Sequence, residues 1–152
     1  MVQIKKIAAV VISLLMLAVI VSGCSTEFNF KDGTYTAEFA DYDSSGYKEY
    51  IVVTVEEGIV TRMEYDAKNA NGDLRSADEQ YKADMEALEG TSPNQYVQDL
   101  INQYMEKHDI TKVDVVAGAT YATENFVALF IALEPSMSSG DTAAVVVSNF
   151  NP

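Results

Sequence analysis

Apolar positions first alternate along this chain and later recur at helical spacing. Over Gly33 to Phe39 every second residue is apolar, which sets Tyr35, Ala37 and Phe39 on one face of a strand. Asp41 to Gly46 is rich in turn formers, and Tyr50 to Val55 is a β-branched, apolar run. Glu57-Gly58 supplies a tight turn, and Ile59 to Tyr65 alternates again as the return strand. Helical spacing then takes over. Ser76 with Glu79 reads as a capping box ahead of the stripe Tyr81, Met85 and Leu88, which stops at Gly90. Ser92-Pro93-Asn94-Gln95 starts a second helix, with Ser92 as cap, Pro93 at the first position and Gln95 as reciprocal partner. Its stripe is Tyr96, Val97, Leu100, Ile101, Tyr104 and Met105. Val113 to Val116 has strand character, Ala117-Gly118-Ala119 is a small-residue turn, and a third helix runs to Leu133 with Phe126, Val127, Phe130 and Ile131 on one face. Pro135 ends that helix, and Thr142 to Ser148 is a candidate last strand at a sheet edge. Strands and helices mix without strict alternation, so the fold class is α+β, an antiparallel sheet with flanking helices.

The first residues change the picture. Lys5 and Lys6 precede Ile7 to Val21, interrupted only by Ser13, a run short for a spanning helix, which needs roughly 20 apolar residues. It closes on Val21-Ser22-Gly23-Cys24, which resembles the bacterial lipoprotein signal, with Cys24 as lipid carrier and new N-terminus. The alternative is an uncleaved anchor with an incidental cysteine. The expected organisation is a signal peptide over 1–23, a lipidated cysteine and tether over 24–30, a single domain over 31–134, and a C-terminal tail over 135–152. Cys24 is the only cysteine, so no intrachain disulfide forms. Removing 1–23 takes away Lys5 and Lys6 and no acid, which moves the net charge from −13 to −15. Such a surface avoids nucleic acid and is repelled by anionic lipid, so attachment to a membrane must come from the lipid.

Candidate chemistry concentrates at Asp114 to Phe126. Thr120 and Thr123 lie near a helix start, where unpaired N–H groups and the helix dipole favour an anion such as a phosphate. An ordinary reading stands beside this one: a strand, a tight turn and a threonine N-cap. The stretch Asp114-Val115-Val116-Ala117-Gly118-Ala119-Thr120 resembles the acceptor motif Asp-x-x-(Ser/Thr)-Gly-Ala-Thr of the FMN-binding domain family. Ala117 stands where that pattern has Ser or Thr, and Ala122 stands two after the acceptor, where a hydroxyl residue often sits, with Thr123 next. The opening, from Asp32-Gly33-Thr34-Tyr35 to Val60, is similar to the start of that domain, and the resemblance spans Lys31 to Leu133.

The resemblance implies FMN joined through its phosphate to Thr120, with Gly118 and Ala119 as the close-packed pair. It implies that Asp114 is read by the flavin transferase that installs the cofactor; bracing of the turn is the other role open to Asp114. Tyr121, next to the attachment point, is a candidate ring contact, and Thr123 a further cofactor-binding residue. Phe126, Tyr81 and Tyr96 pack against a flavin or in the core, and Glu124 and Asn125 meet the flavin or occupy the first helical turn. Gly90-Thr91-Ser92 approaches the ligand or caps a helix.

Other chemistries find little to work with. His108 is the only histidine, and no cysteine cluster accompanies it to build a zinc, haem or iron–sulfur site. The oxygen-rich Asn69 to Asp73 loop lacks the spacing of an EF-hand, and no Gly-x-Ser-x-Gly elbow occurs. The expectation is an extracytoplasmic, lipid-anchored FMN carrier at the outer face of the bacterial cytoplasmic membrane. It would relay electrons from a dehydrogenase or quinol to another flavoprotein, rather than act as a self-sufficient enzyme. A non-covalent FMN-binding lipoprotein and a cofactor-free structural lipoprotein are the alternatives.

Overall fold

Alternation builds the sheet where it is expected. Strand β1 (Gly33–Phe39) buries Tyr35, Ala37 and Phe39 on one face. Strands β2 (Tyr47–Glu56) and β3 (Ile59–Asn69) are longer than the apolar runs that announce them, because pairing across the hairpin carries both into polar sequence. Their turn places Glu57 at φ 54° and Gly58 at φ 81°. Two left-handed residues in succession match the twist of a two-residue hairpin. A fourth strand, β4 (Val145–Val147), pairs parallel to β1 with Ala37 opposite Val145, giving the order β3-β2-β1-β4. The α+β expectation holds, with one parallel strand added to an antiparallel sheet. The computed structural model describes residues 30–148; the signal-like segment and Cys24 lie outside them.

Three helices flank the sheet, α1 (Glu79–Glu89), α2 (Pro93–Lys107) and α3 (Thr120–Ser139), of which α2 and α3 pack on the strands. Helix α2 follows its stripe, burying Tyr96, Val97, Leu100 and Tyr104. Helix α3 buries Phe126, Leu129, Phe130, Leu133 and Met137, so its inner face includes Leu129 and Leu133 while Ile131 is turned outward. The ring of Phe126 meets Tyr65 edge-on at 5.1 Å, and Phe130 meets Tyr104 at 4.6 Å.

Several local expectations are corrected. The cap of α1 is Asp78, whose carboxylate accepts the Tyr81 N–H, because Ser76 lies in a 3-10 turn (Arg75–Ala77) and is bonded to Asp66. Ser92 occupies the cap position of α2, but its hydroxyl donates to Asn94 Oδ1 at 2.9 Å and caps no N–H. Leu88 is 80% exposed, and α1 has no buried residue. Pro135 does not end α3. The helix continues to a left-handed Gly140, held by buried Met137, whose carbonyl accepts the Lys31 N–H at 2.7 Å. The folded unit therefore extends beyond residue 134 to β4.

Candidate functional site

The segment 113–116 leading to the small-residue turn is extended but is not a strand, since no neighbouring strand reaches it. Side chains take the place of that partner. The Gln103 amide accepts the Asp114 N–H at 2.7 Å and donates to the Asp114 carbonyl at 3.1 Å. The Asp114 carboxylate is exposed and bridges to Lys107 at 2.9 Å. At the turn, Gly118 has φ 75°, and a Cβ there would lie 2.4 Å from the Glu89 carbonyl oxygen and 3.1 Å from Thr91. Only glycine suits that backbone and that approach. The Gly90-Thr91-Ser92 loop thus packs behind the turn, with Thr91 and Ser92 buried.

Helix α3 starts at Thr120, and its two threonines play different parts. Thr123 is buried; its hydroxyl donates to the Ala119 carbonyl at 2.9 Å and accepts the Val116 N–H at 3.2 Å. Thr120 is exposed, and its hydroxyl has no hydrogen-bond partner among the described residues. It stands on the wall of a cavity of about 600 Å³ between the turn, the first turns of α3, the inner side of α1 and the start of β2. Gly118, Ala119, Tyr121 and Asn125 share that wall, with Tyr81, Met85 and Tyr96 facing it. Tyr121 is 69% exposed. Asp114 and Thr123 are not among the cavity residues; one faces solvent and the other braces the turn from inside.

The deep end is charged. Arg75, 4% exposed, donates from Nη1 to Glu49 Oε1 at 2.9 Å and from Nη2 to Asp43. Its guanidinium lies 5.1 Å from the Tyr47 ring and 5.3 Å from the Tyr81 ring. The Tyr65 hydroxyl lies 2.7 Å from Glu49 Oε2 and 2.9 Å from the Ala122 carbonyl. Burial pushes Glu49 above the ordinary carboxylate range, against Arg75, Tyr65 and Asn125, which pull it down. Burial and then Glu49 push the Tyr65 phenol well up. Burial opposes the charge of Arg75, but Glu49, Tyr96 and Asp43 hold the guanidinium above its usual value.

Sequence reading passes over Glu49 and Arg75. The signal for Glu49 is nonetheless in the strand: extended back to Tyr47, the alternation puts Glu49 on the same face as Ile51, Val53 and Val55. A carboxylate on a core face asks for a buried cation. Arg75 carries no comparable sign, because a 3-10 turn has no long period to read. Among the described residues no cluster of His, Cys, Asp and Glu side chains is arranged to hold a metal ion, and no helix is long and apolar enough to cross a membrane.

The chain is 33% identical over 132 residues to the 15 kDa lipoprotein of Treponema pallidum (strain Nichols), a match covering 87% of this chain and 93% of that protein. In three dimensions it is similar to the crystal structure of the CPE2226 protein from Clostridium perfringens, with a TM-score of 0.75 and 30% identity over 79% of this chain and 98% of that one. No protein-family model matches.

Proposed function

The chain belongs to the family of the 15 kDa lipoprotein of Treponema pallidum, and on that premise we propose that it is a lipid-anchored FMN protein that relays electrons at the outer face of the cytoplasmic membrane. Cys24 carries the lipid, and Thr120 carries FMN through a phosphoester. The observation that carries this reading is the free, exposed Thr120 hydroxyl on the wall of a cavity of about 600 Å³. It sits on the first residue of α3, where unpaired N–H groups and the helix dipole suit a phosphate. The cavity falls in the range of small-molecule sites, roughly 300–1,000 Å³. Tyr81 and Tyr121 offer flat apolar faces with polar tips to a planar ring, and buried Tyr96 reaches the cavity wall behind them.

Bound there, FMN supplies one- and two-electron transfer, while the chain binds, orients and exposes it. Exposed Asp114, outside the cavity, suits recognition by a flavin transferase rather than contact with the cofactor. A dehydrogenase, quinol or second flavoprotein completes the relay, and the acidic surface disfavours nucleic acid.

The test is mass spectrometry of protein co-expressed with a flavin transferase. An FMN-sized increment in the wild type, lost in Thr120→Val, supports attachment. Wild-type protein that binds FMN yet keeps its unmodified mass leaves a non-covalent FMN lipoprotein. Protein that stays both unmodified and colourless ends the flavin reading.

A further inference from the structure

We propose that Arg75, Glu49 and Asn125 recognise the imide edge of the planar ring held in the cavity, an inference that rests on the flavin reading and names the residues that orient the ring. All three line the cavity. Arg75 Nε is a buried donor with no hydrogen-bond partner, the single such side-chain atom among the described residues. Buried donors are nearly always satisfied, so an orphan beside a cavity asks for an acceptor from outside the chain. Glu49 takes one bond from Arg75 and one from Tyr65, and the Asn125 side chain bonds to it as well. A carboxylate has about four lone-pair sites, so accepting capacity remains. Asn125 lies on the same wall, and beyond its bond to Glu49 its amide keeps a second N–H and its carbonyl oxygen.

The pyrimidine edge of an isoalloxazine reads carbonyl, N–H, carbonyl. Its complement is a donor, an acceptor and a donor, which the Arg75 Nε–H, the Glu49 carboxylate and the Asn125 amide supply. The charges decide the ligand's direction. Arg75 is matched by two carboxylates, Asp43 and Glu49, so the deep end has no spare positive charge for a phosphate. The anion is better placed at Thr120 on the helix N-terminus, and the neutral, hydrogen-bonding edge at Arg75. The constellation is also held in place before any ligand arrives. The rings of Tyr47 and Tyr81 lie together against the guanidinium, and Tyr65 holds Glu49.

The test titrates the full, flavin-free chain with riboflavin, which has no phosphate to transfer, and follows quenching of flavin fluorescence. A second probe is riboflavin methylated at the imide nitrogen, which can no longer donate. Wild-type protein is expected to bind riboflavin saturably and the methylated form about tenfold more weakly, because a site built to pair a polar group rejects the analogue lacking it. Asn125→Ala and Glu49→Gln, each confirmed as folded by circular dichroism, are expected to lose about tenfold in riboflavin affinity. Equal affinity for the two flavins, folded variants that bind like the wild type, or no riboflavin binding at all overturns the edge assignment. None of these results bears on covalent attachment, which the mass increment at Thr120 reads separately.

Discussion

The Thr123 hydroxyl accepts the Val116 N–H at 3.2 Å while donating to the Ala119 carbonyl, and so ties the approach to the turn onto the helix that follows it. That bond assigns the structural part to Thr123 and leaves Thr120 without an internal partner. Thr123→Val keeps the shape but strands a part-buried N–H. It is expected to lower stability by about 1–3 kcal/mol, read by urea unfolding. Thr120→Val is expected to change it by no more than about 0.5 kcal/mol. Equal costs for the two variants would contradict this division of labour.

Gly118 holds the turn against the Glu89 carbonyl with a left-handed backbone. Gly118→Ala meets a backbone atom that no rotamer change can move aside. A loss of about 2 kcal/mol or more is expected in the same unfolding experiment. A variant as stable as the wild type would mean that the loop between α1 and α2 gives way freely.

The pair Tyr47 and Asp78 predicts opposite responses at the two ends of the pH scale. The Tyr47 hydroxyl donates to Asp78 Oδ2 at 2.7 Å, and that bond, followed by burial, raises the phenol from 10.0 to about 12. The folded state thus favours the neutral phenol. Its contribution is complete below pH 10.0 and is lost as pH rises through about 12. Asp78 is held below the ordinary carboxylate range by the Tyr81 N–H and then by Tyr47, so its contribution is present above that range and lost as pH falls. Tyr47→Phe should flatten the alkaline limb of a melting-temperature profile and weaken the acid limb. An unchanged alkaline limb would refute the assignment.

Pro135 lies inside α3 and cannot donate to the Ile131 carbonyl one turn earlier. Replacing an interior proline removes a penalty of about 3 kcal/mol, offset in part by about 0.4–1 kcal/mol of added unfolded-chain entropy. Pro135→Ala is therefore expected to stabilise the protein by about 2–2.6 kcal/mol in thermal unfolding. A destabilised variant would show that the helix is bent at Pro135 to fit the sheet.

Much of the fold is legible in the pattern. The strand Gly33–Phe39, the Glu57-Gly58 turn and the stripe of α2 all appear as read, because side-chain periodicity and turn stereochemistry act over a few residues. The misread places are those where a distant group intervenes. Ser76 is drawn to Asp66 and gives up the cap of α1 to Asp78. Val113 to Val116 has the composition of a strand but meets the side chain of Gln103 instead of a sheet edge. Leu88 belongs to an apolar stripe whose inner side, Tyr81 and Met85, lines a cavity, with Met85 alone of the three packed against the core.

The site divides along the same line. Local sequence was enough to place a small-residue turn around Gly118 and two threonines at the head of a helix, since each depends on backbone geometry within a few residues. Which threonine is free was settled only by the return of Val116 onto Thr123. The cavity and its charged end came only with the folded chain. Arg75 meets Glu49 across 26 residues of sequence, and a pairing at that separation is decided by the sheet and helix that bring the two together, not by anything either residue carries beside it.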